Sequence, residues 1–143
     1  MPMNQQLIKA ERINSKITIE TIFKNGKSVF SFPYKVVWNT EVADENKPAV
    51  EILLSVGKKR FKKAVDRNHI KRLIRETFRT NKHILWDYCE VNNLRLQIAL
   101  VYVDKEIGDF QTHNKAFLKI IDKLIAKQDK RTEELLVNGV GKW

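Results

Sequence analysis

The segment from about Ala64 to Lys82 has two chemically opposite faces when it is wound as a helix. At about 100° per residue, one arc is polar and cationic while the opposite arc is mainly apolar. The polar arc holds Asn68, Lys71, Arg72, Arg75 and Arg79, and the apolar arc holds Ile70, Leu73, Ile74 and Thr77. This pattern predicts a helix that packs through one side and presents positive charge on the other. Asp66 lies near its start, where a carboxylate complements the exposed backbone N–H groups.

The segments before this helix predict one further helix and two or three strands. Near-helical spacing of Ile13, Ile17, Ile19, Ile22 and Phe23 predicts a first helix, which the stop signal Asn25-Gly26 ends. Aromatic and β-branched residues from Lys27 to Asn39 indicate strand structure, and "AVEILLSV" from Ala49 to Val56 indicates a largely buried strand. The polar stretch "TEVADENK" between them is expected to be an exposed hairpin loop. The run "GKKRFKK" lacks a hydrophobic period and predicts an irregular basic loop.

Beyond the basic helix, one more strand and one more helix are predicted. The segment "LRLQIALVYV" has a polar beginning and an apolar end, which is typical of a strand that enters the centre of a sheet. Phe117, Ile120, Ile121, Leu124 and Ile125 then mark a last amphipathic helix. The order α-β-β-(β)-α-β-α predicts an α+β fold, with a single-layer mixed sheet of about four strands packed with three helices. We expect one domain over residues 1–128 and a loosely held tail over residues 129–143.

Positive charge is concentrated in one part of the chain. The sequence has 27 Lys+Arg against 17 Asp+Glu, a formal net charge of +10. Between Gly57 and Lys82 there are 11 Lys/Arg against only Asp66 and Glu76, which is a net +9 of that +10. Charge added for solubility alone would be spread evenly, so this concentration favours a surface for phosphates. The alternative is an ordinary solvated helix face, but such faces usually interleave acids at i+4.

The sequence shows no recognised catalytic or metal-binding spacing. Its three histidines and its one cysteine match no nucleophile or zinc pattern, and the glycines form no phosphate-binding loop. The acidic pairs Asp44/Glu45, Asp87/Glu90 and Asp104/Glu106 have the character of loop or helix-end residues. We expect His69 to neighbour phosphates, His83 and His113 to lie on the surface, and Cys89 to be a small, partly buried hydrophobe.

The chain is expected to work in the cytoplasm. A single cysteine excludes an internal disulfide, which suits a reducing compartment. The N-terminal residues lack the apolar run of a signal peptide, and the longest apolar run, Ile98 to Val103, is too short to span a bilayer.

Two stretches together resemble the protein component of bacterial ribonuclease P. They are "RINSKITIETIFKNGKSVFSFPY" and "LLSVGKKRFKKAVDRNHIKRLIRETFR", and the resemblance runs from roughly Arg12 to the last helix. Its core is the pattern R-N-x-x-K-R-x-x-R-E, matched by Arg67, Asn68, Lys71, Arg72, Arg75 and Glu76. The family usually has arginine where this chain has His69. Of the two phenylalanines common in the family's first helix, only Phe23 is kept, since Ile19 occupies the other position.

The resemblance implies an accessory protein whose RNA partner carries out the chemistry. In that family a separate RNA subunit, acting with Mg²⁺ bound mainly through the RNA, cleaves the 5′ leader from precursor tRNA. The positions implied to bind the RNA subunit are Lys58, Lys59, Arg67, Asn68, His69, Lys71, Arg72, Arg75 and Arg79. Those implied to meet the leader are Ile19, Phe23 and Tyr34. A left-handed strand-helix-strand crossover is also implied, whereas no membrane or protein partner is expected.

Three alternatives remain open from the residues alone. The chain could be a structural RNA-binding protein of the ribosomal or assembly-factor type, because charge and fold class do not separate these functions. It could also be a metal-dependent nuclease that uses one of the loop carboxylates. Phe23 could be an ordinary core residue instead of one wall of a cleft.

Overall fold

The computed structural model describes residues 16–140, and it describes side chains over residues 19–24 and 26–130. This part of the chain forms three helices and four strands. In chain order they are α1 (Lys16–Asn25), β1 (Lys27–Ser31), β2 (Tyr34–Val42), β3 (Val50–Val56), α2 (Ala64–Asn92), β4 (Leu94–Tyr102) and α3 (Phe110–Val140). The α+β class, the three helices and the four-stranded sheet predicted from the sequence are confirmed. Ile13, predicted to begin the first helix, lies outside the described residues.

The sheet is mixed and has the strand order β1-β2-β4-β3. β2 pairs antiparallel with both β1 and β4, and β3 pairs parallel with β4. The expected hairpin between the second and third strands is wrong, because β4 inserts between them and β2 continues to Val42. β4 is almost continuously buried, as expected for a central strand whose two faces are both covered by helices. α2 provides the long crossover that parallel strands require, and the handedness of this crossover stays a prediction.

The two faces of the sheet carry different helices. Alternate residues of a strand point to opposite faces, and the even-numbered positions of β2 and β4 pack with α2 and α3. On the other face, Ile22 of α1 packs against Val37 of β2 and Ala99 of β4, with Ile19 and Leu53 alongside. The four-stranded sheet therefore lies between α1 on one side and the α2–α3 pair on the other.

α2 is longer than the sequence pattern indicated. The predicted end at Lys82 is wrong, since the helix continues to Asn92 and Asn93 closes it with φ 53°. In this left-handed conformation the Asn93 N–H donates to the carbonyls of Cys89 and Glu90. The extension is stabilised because Leu85 and Cys89 carry the buried face past Lys82. Burial also raises the pKa of the Cys89 thiol to about 12, which agrees with its predicted role as a small hydrophobe.

α3 also extends in both directions beyond its predicted core. At its start, Asp109 accepts hydrogen bonds from the backbone N–H and the hydroxyl of Thr112, at 2.9 and 2.8 Å. Near the predicted tail, Gln128 is buried and Asp129 accepts a hydrogen bond from the Tyr88 hydroxyl at 2.6 Å. The helix then continues to Val140, so helical backbone covers residues 129–140. That this segment is loosely held stays a prediction.

His113 is buried, so its predicted place on the surface is wrong. Its Nε2–H donates to the Ile107 carbonyl at 2.8 Å, which leaves Nδ1 to accept from the Tyr34 hydroxyl. The imidazole also stacks on Tyr102, with ring centroids 5.3 Å apart. Burial lowers the pKa of His113, because charging the ring there would cost solvation. His83 is exposed, as predicted.

Within residues 16–140, none of the helices has the length and apolar content needed to cross a membrane.

Candidate nucleic-acid interface

The outer face of α2 carries the cationic stripe that the sequence predicts. Asn68 and Arg72 are exposed, whereas Ile70, Ile74 and Thr77 on the opposite side are buried. Lys71, Arg75 and Arg79 are half-buried along the stripe. The side chain of Arg72 makes no hydrogen bond or ion pair with the described part of the chain. Its guanidinium can therefore offer planar, bidentate donors to a phosphate without first breaking an internal contact.

Unlike Arg72, Arg67 makes hydrogen bonds within the protein. Its Nη1 donates to the backbone carbonyls of Phe61 and Lys62, at 2.7 and 3.0 Å. Phe61 is itself buried against Tyr102, which ties the basic loop to the core. Part of the Arg67 guanidinium is thus used to hold this loop at the N-terminus of α2. The contact of Arg67 with RNA stays a prediction, and its internal bonds could not be predicted from spacing along the chain.

The charge of Arg79 is partly balanced by a neighbour. Its Nε donates to Glu76 Oε2 at 3.0 Å, and a second nitrogen contacts the other carboxylate oxygen. The hydrogen bond from Arg79 lowers the pKa of Glu76, so this carboxyl stays ionised at neutral pH. The C-terminal end of the stripe is therefore less positive than the region around Arg72.

The loop between β3 and α2 adds four exposed lysines to this surface. Lys58 and Lys59 lie in the turn after β3, and Lys62 and Lys63 lie directly before α2. Among the residues that the structure describes, these four ammonium groups have no hydrogen-bond or ion-pair partner. His69 is also exposed, one residue after Asn68. The loop and the stripe together form a cationic surface without a matching set of acids.

The α1 face of the sheet carries an aromatic side chain that is not buried in the core. Phe23 is 49% exposed, whereas Ile22 beside it is fully buried. The alternative that Phe23 is an ordinary core residue is therefore wrong. Ile19 is half-buried and packs beside Leu53. An exposed ring on α1, next in sequence to the buried Ile22, could form one wall of a cleft on this face.

Tyr34 cannot belong to that cleft in this structure, which corrects its assignment to the leader surface. The side chain is fully buried and its ring contacts Tyr102 and His113 on the α2–α3 face. Its hydroxyl has a raised pKa, because burial disfavours the charged form. Val37 lies at an odd-numbered position of β2 and packs against α1 instead. Both faces of β2 are buried around Val36, Val37 and Trp38, so the sequence carried no clear signal for this assignment.

The acidic pairs considered as nuclease candidates form no metal cluster in the described structure. No group of three or more His, Cys, Asp or Glu is placed there to hold a metal ion. Asp44 accepts a hydrogen bond from the Asn46 N–H at 2.9 Å, and Asp104 accepts from the Lys105 N–H at 2.7 Å. These two carboxylates therefore stabilise turns.

The chain is similar to proteins of one family along most of its length. A family model described as Ribonuclease P matches residues 7–127. A ribonuclease P protein component from Porphyromonas gingivalis is 37% identical over 124 residues, covering 86% of this chain and 89% of that protein. One from Chlorobium phaeobacteroides is 36% identical over 104 residues, covering 68% and 71%. The solved structure of the RNase P protein from Thermotoga maritima matches with a TM-score of 0.63 and 25% identity, covering 79% of this chain and 96% of that one.

Proposed function

The chain belongs to the family of bacterial ribonuclease P protein components, and we propose that it is the protein subunit of a ribonucleoprotein endonuclease. It binds the catalytic RNA subunit and the 5′ leader of precursor tRNA, and it assists the maturation of the tRNA 5′ end. Family membership argues against the ribosomal or assembly-factor alternative. The proposal also places the protein in the cytoplasm.

The observation that carries the proposal is the cationic surface on α2 and on the loop before it. Arg72 and the exposed lysines of the loop present charge to solvent, while Arg67 holds the loop in place. Cations spaced along a helix can follow successive phosphates, and contact with phosphates supplies much of the affinity for RNA. We assign this surface to the RNA subunit.

The proposed division of labour leaves cleavage to the RNA partner. The chain offers loop acids that are engaged in turns, and its buried cysteine has a raised pKa that keeps the thiol protonated. Mg²⁺ would be held mainly by RNA phosphates and would serve the cleavage reaction there. The protein would supply binding energy and charge neutralisation, which matter most when Mg²⁺ is scarce.

Reconstitution at low Mg²⁺ tests this function, and Arg72→Ala is the informative variant. With the family's RNA subunit, the wild-type protein should increase cleavage of precursor tRNA, whereas protein and Mg²⁺ without RNA should cleave nothing. Arg72→Ala should bind the RNA subunit more weakly, and the log-log salt slope should fall by about 0.7 to 0.9 for one lost phosphate contact. Binding is measured by titration at several salt concentrations.

Lys47→Gln is the matched control, because Lys47 is an exposed loop lysine outside the cationic surface. It should keep the wild-type slope. An unchanged slope in Arg72→Ala would mean that the stripe is only solvated. Cleavage by the protein alone would overturn the proposed function.

Phe23 is proposed to contact the leader. Phe23→Leu keeps most of the apolar volume but removes the flat ring, and stacking on such a ring is worth roughly 1 to 3 kcal/mol per base. We expect weaker binding of precursors that carry leaders of several nucleotides, with unchanged binding of mature tRNA. Melting should hardly change, because the side chain is half exposed. Affinities of both RNAs, measured side by side with thermal unfolding, check this.

Phe110→Leu is a suitable comparison, since Phe110 is also a partly exposed phenylalanine but lies at the start of α3. This variant should not change the difference in affinity between precursor tRNA and mature tRNA. An equal loss for both RNAs in Phe23→Leu, or a loss of stability alone, would show that the leader binds elsewhere.

A further inference from the structure

One flank of α3 carries a row of lysines along the edge of the sheet that β1 forms. Residues three or four apart share a helix face, and five lysines follow one another at these intervals: Lys115, Lys119, Lys123, Lys127 and Lys130. At about 100° per residue they fall within an arc of about 120°. All five side chains are exposed. We call this set the α3 lysine row.

The α3 lysine row lies on a different flank of the helix from the one that packs with α2. Asn114 of α3 accepts a hydrogen bond from Asn81 of α2 at 2.6 Å, and Asp129 accepts one from the Tyr88 hydroxyl at 2.6 Å. On the helical wheel, Asn114 and Asp129 both fall outside the arc of the lysines. The row is therefore a separate surface from the cationic stripe of α2.

Two lysines of the row are held in place against β1. Lys123 Nζ donates to the Phe30 carbonyl at 2.9 Å, and Lys127 Nζ donates to the Ser28 carbonyl at 2.7 Å. Lys127 Nζ also lies 6.0 Å from the centre of the Trp38 ring. An ammonium group has three donors, so each keeps donors for an external acceptor. Because these side chains are already ordered, a partner would lose less entropy in binding them.

The other three lysines have no partner in the described part of the chain. Lys115, Lys119 and Lys130 make no hydrogen bond or ion pair there. Asp122 is three residues from Lys119, a spacing that allows an ion pair on a helix, yet the two side chains are not paired. The row is thus a line of positive charge that its own helix does not neutralise.

The spacing of the row suits the phosphates of a nucleic acid. Lysines four residues apart are about 6 Å apart along the helix axis, close to the distance between successive phosphates of an RNA strand. An ammonium group binds phosphate as a point charge and carries no information about base sequence. Helical RNA is recognised mainly through its shape and its backbone, so a row of this kind fits a helical segment.

We propose that the α3 lysine row binds the phosphate backbone of a helical segment of the RNA subunit, as a second contact besides the cationic surface of α2. α3 and α2 pack on the same side of the sheet, whereas the leader is assigned to the α1 side. A large folded RNA can reach both surfaces at once. The choice of the RNA subunit as partner rests on the proposed function, whereas the exposed row of charge does not.

A triple variant with Lys115→Gln, Lys119→Gln and Lys130→Gln tests this surface and leaves the bonds to β1 intact. The log-log salt slope for binding of the RNA subunit should fall by about 2 to 3, from about 0.7 to 0.9 for each lost phosphate contact. Melting should hardly change, because the three side chains are exposed. Hydroxyl-radical footprinting should show that the RNA subunit loses a protected backbone segment, which Arg72→Ala retains.

The matched control replaces the same three lysines with arginine, which keeps the charge and should keep both the slope and the footprint. The proposal is overturned by an unchanged slope in the glutamine variant, or by an equal loss in the arginine variant. It is also overturned if the glutamine variant binds only precursor tRNA more weakly, which would assign the row to the substrate. Weaker binding of polyglutamate alone would assign the row to an acidic protein segment and overturn it too. A reduced slope in the glutamine variant, combined with no stimulation of cleavage by the wild type, would reject the proposed function and keep this surface.

Discussion

Replacing Arg95 with methionine should lower the free energy of unfolding by about 3 to 5 kcal/mol, the cost of breaking a buried ion pair from one side. Arg95 is only 2% exposed, and its guanidinium bonds Glu41 on β2 and Glu51 on β3. Its Nε also donates to the Pro48 carbonyl at 3.2 Å. Methionine fills much of the space but leaves the Glu51 carboxylate, whose side chain is only 19% exposed, without its partner. Urea unfolding at neutral pH measures the change.

Two companion variants show whether the charge itself is responsible. Arg72→Met makes the same chemical change on the exposed face of α2 and should alter stability by no more than about 0.5 kcal/mol. Adding Glu51→Gln to Arg95→Met should recover part of the loss, because no uncompensated carboxylate then remains there. A loss below about 1 kcal/mol in Arg95→Met would mean that water enters and solvates this cluster.

Gly26→Ala should destabilise the protein by about 2 to 3 kcal/mol, at the upper end of the cost of overpacking. A Cβ added at Gly26 would lie 2.2 Å from the Ile22 carbonyl oxygen and 2.8 Å from the Trp38 carbonyl oxygen. Both are backbone atoms, so relief requires α1 to move relative to β2. Because α1 carries Phe23, the variant should also weaken binding of leader-bearing precursors. Thermal unfolding and precursor affinity check the two effects.

Gly57→Ala is the matched control for this substitution. A Cβ at Gly57 would meet no atom within 4 Å, so alanine there should be neutral or slightly stabilising. If Gly26→Ala and Gly57→Ala melted alike, the close approach between the end of α1 and β2 would not exist in solution.

Local patterns in the sequence were enough to predict the type and order of the helices and strands, and to identify the cationic face of α2. Helical periodicity and the charge of individual residues do not depend on distant partners, so the face of Arg72 and the face of Ile74 could be assigned directly. The predicted end of the first helix at Asn25-Gly26 was also correct, because a helix stop signal is likewise a local feature of the sequence. The structure adds that Gly26 is required by its approach to Trp38 as well as by the end of the helix.

Assignments that depend on a partner across the fold were the ones that failed. In β2, Val36, Val37 and Trp38 are all buried, so alternation did not show which face Tyr34 would join. The placement of β4 beside β2, and not a hairpin to β3, was decided by the sheet as a whole. The resemblance could supply positions for contact with RNA, but it could not show that Tyr34 is enclosed.

The sequence by itself determined the α+β class, the two-faced α2 and the concentration of positive charge, because these follow from side-chain chemistry and spacing. Only the tertiary structure decided that His113 and Arg95 are buried, that Arg67 holds the basic loop, and that α2 reaches Asn92. Burying a polar or charged group is costly unless distant residues supply its hydrogen bonds. Whether such partners lie within hydrogen-bond distance depends on how the helices and strands pack together, and the spacing of residues along the chain does not show this.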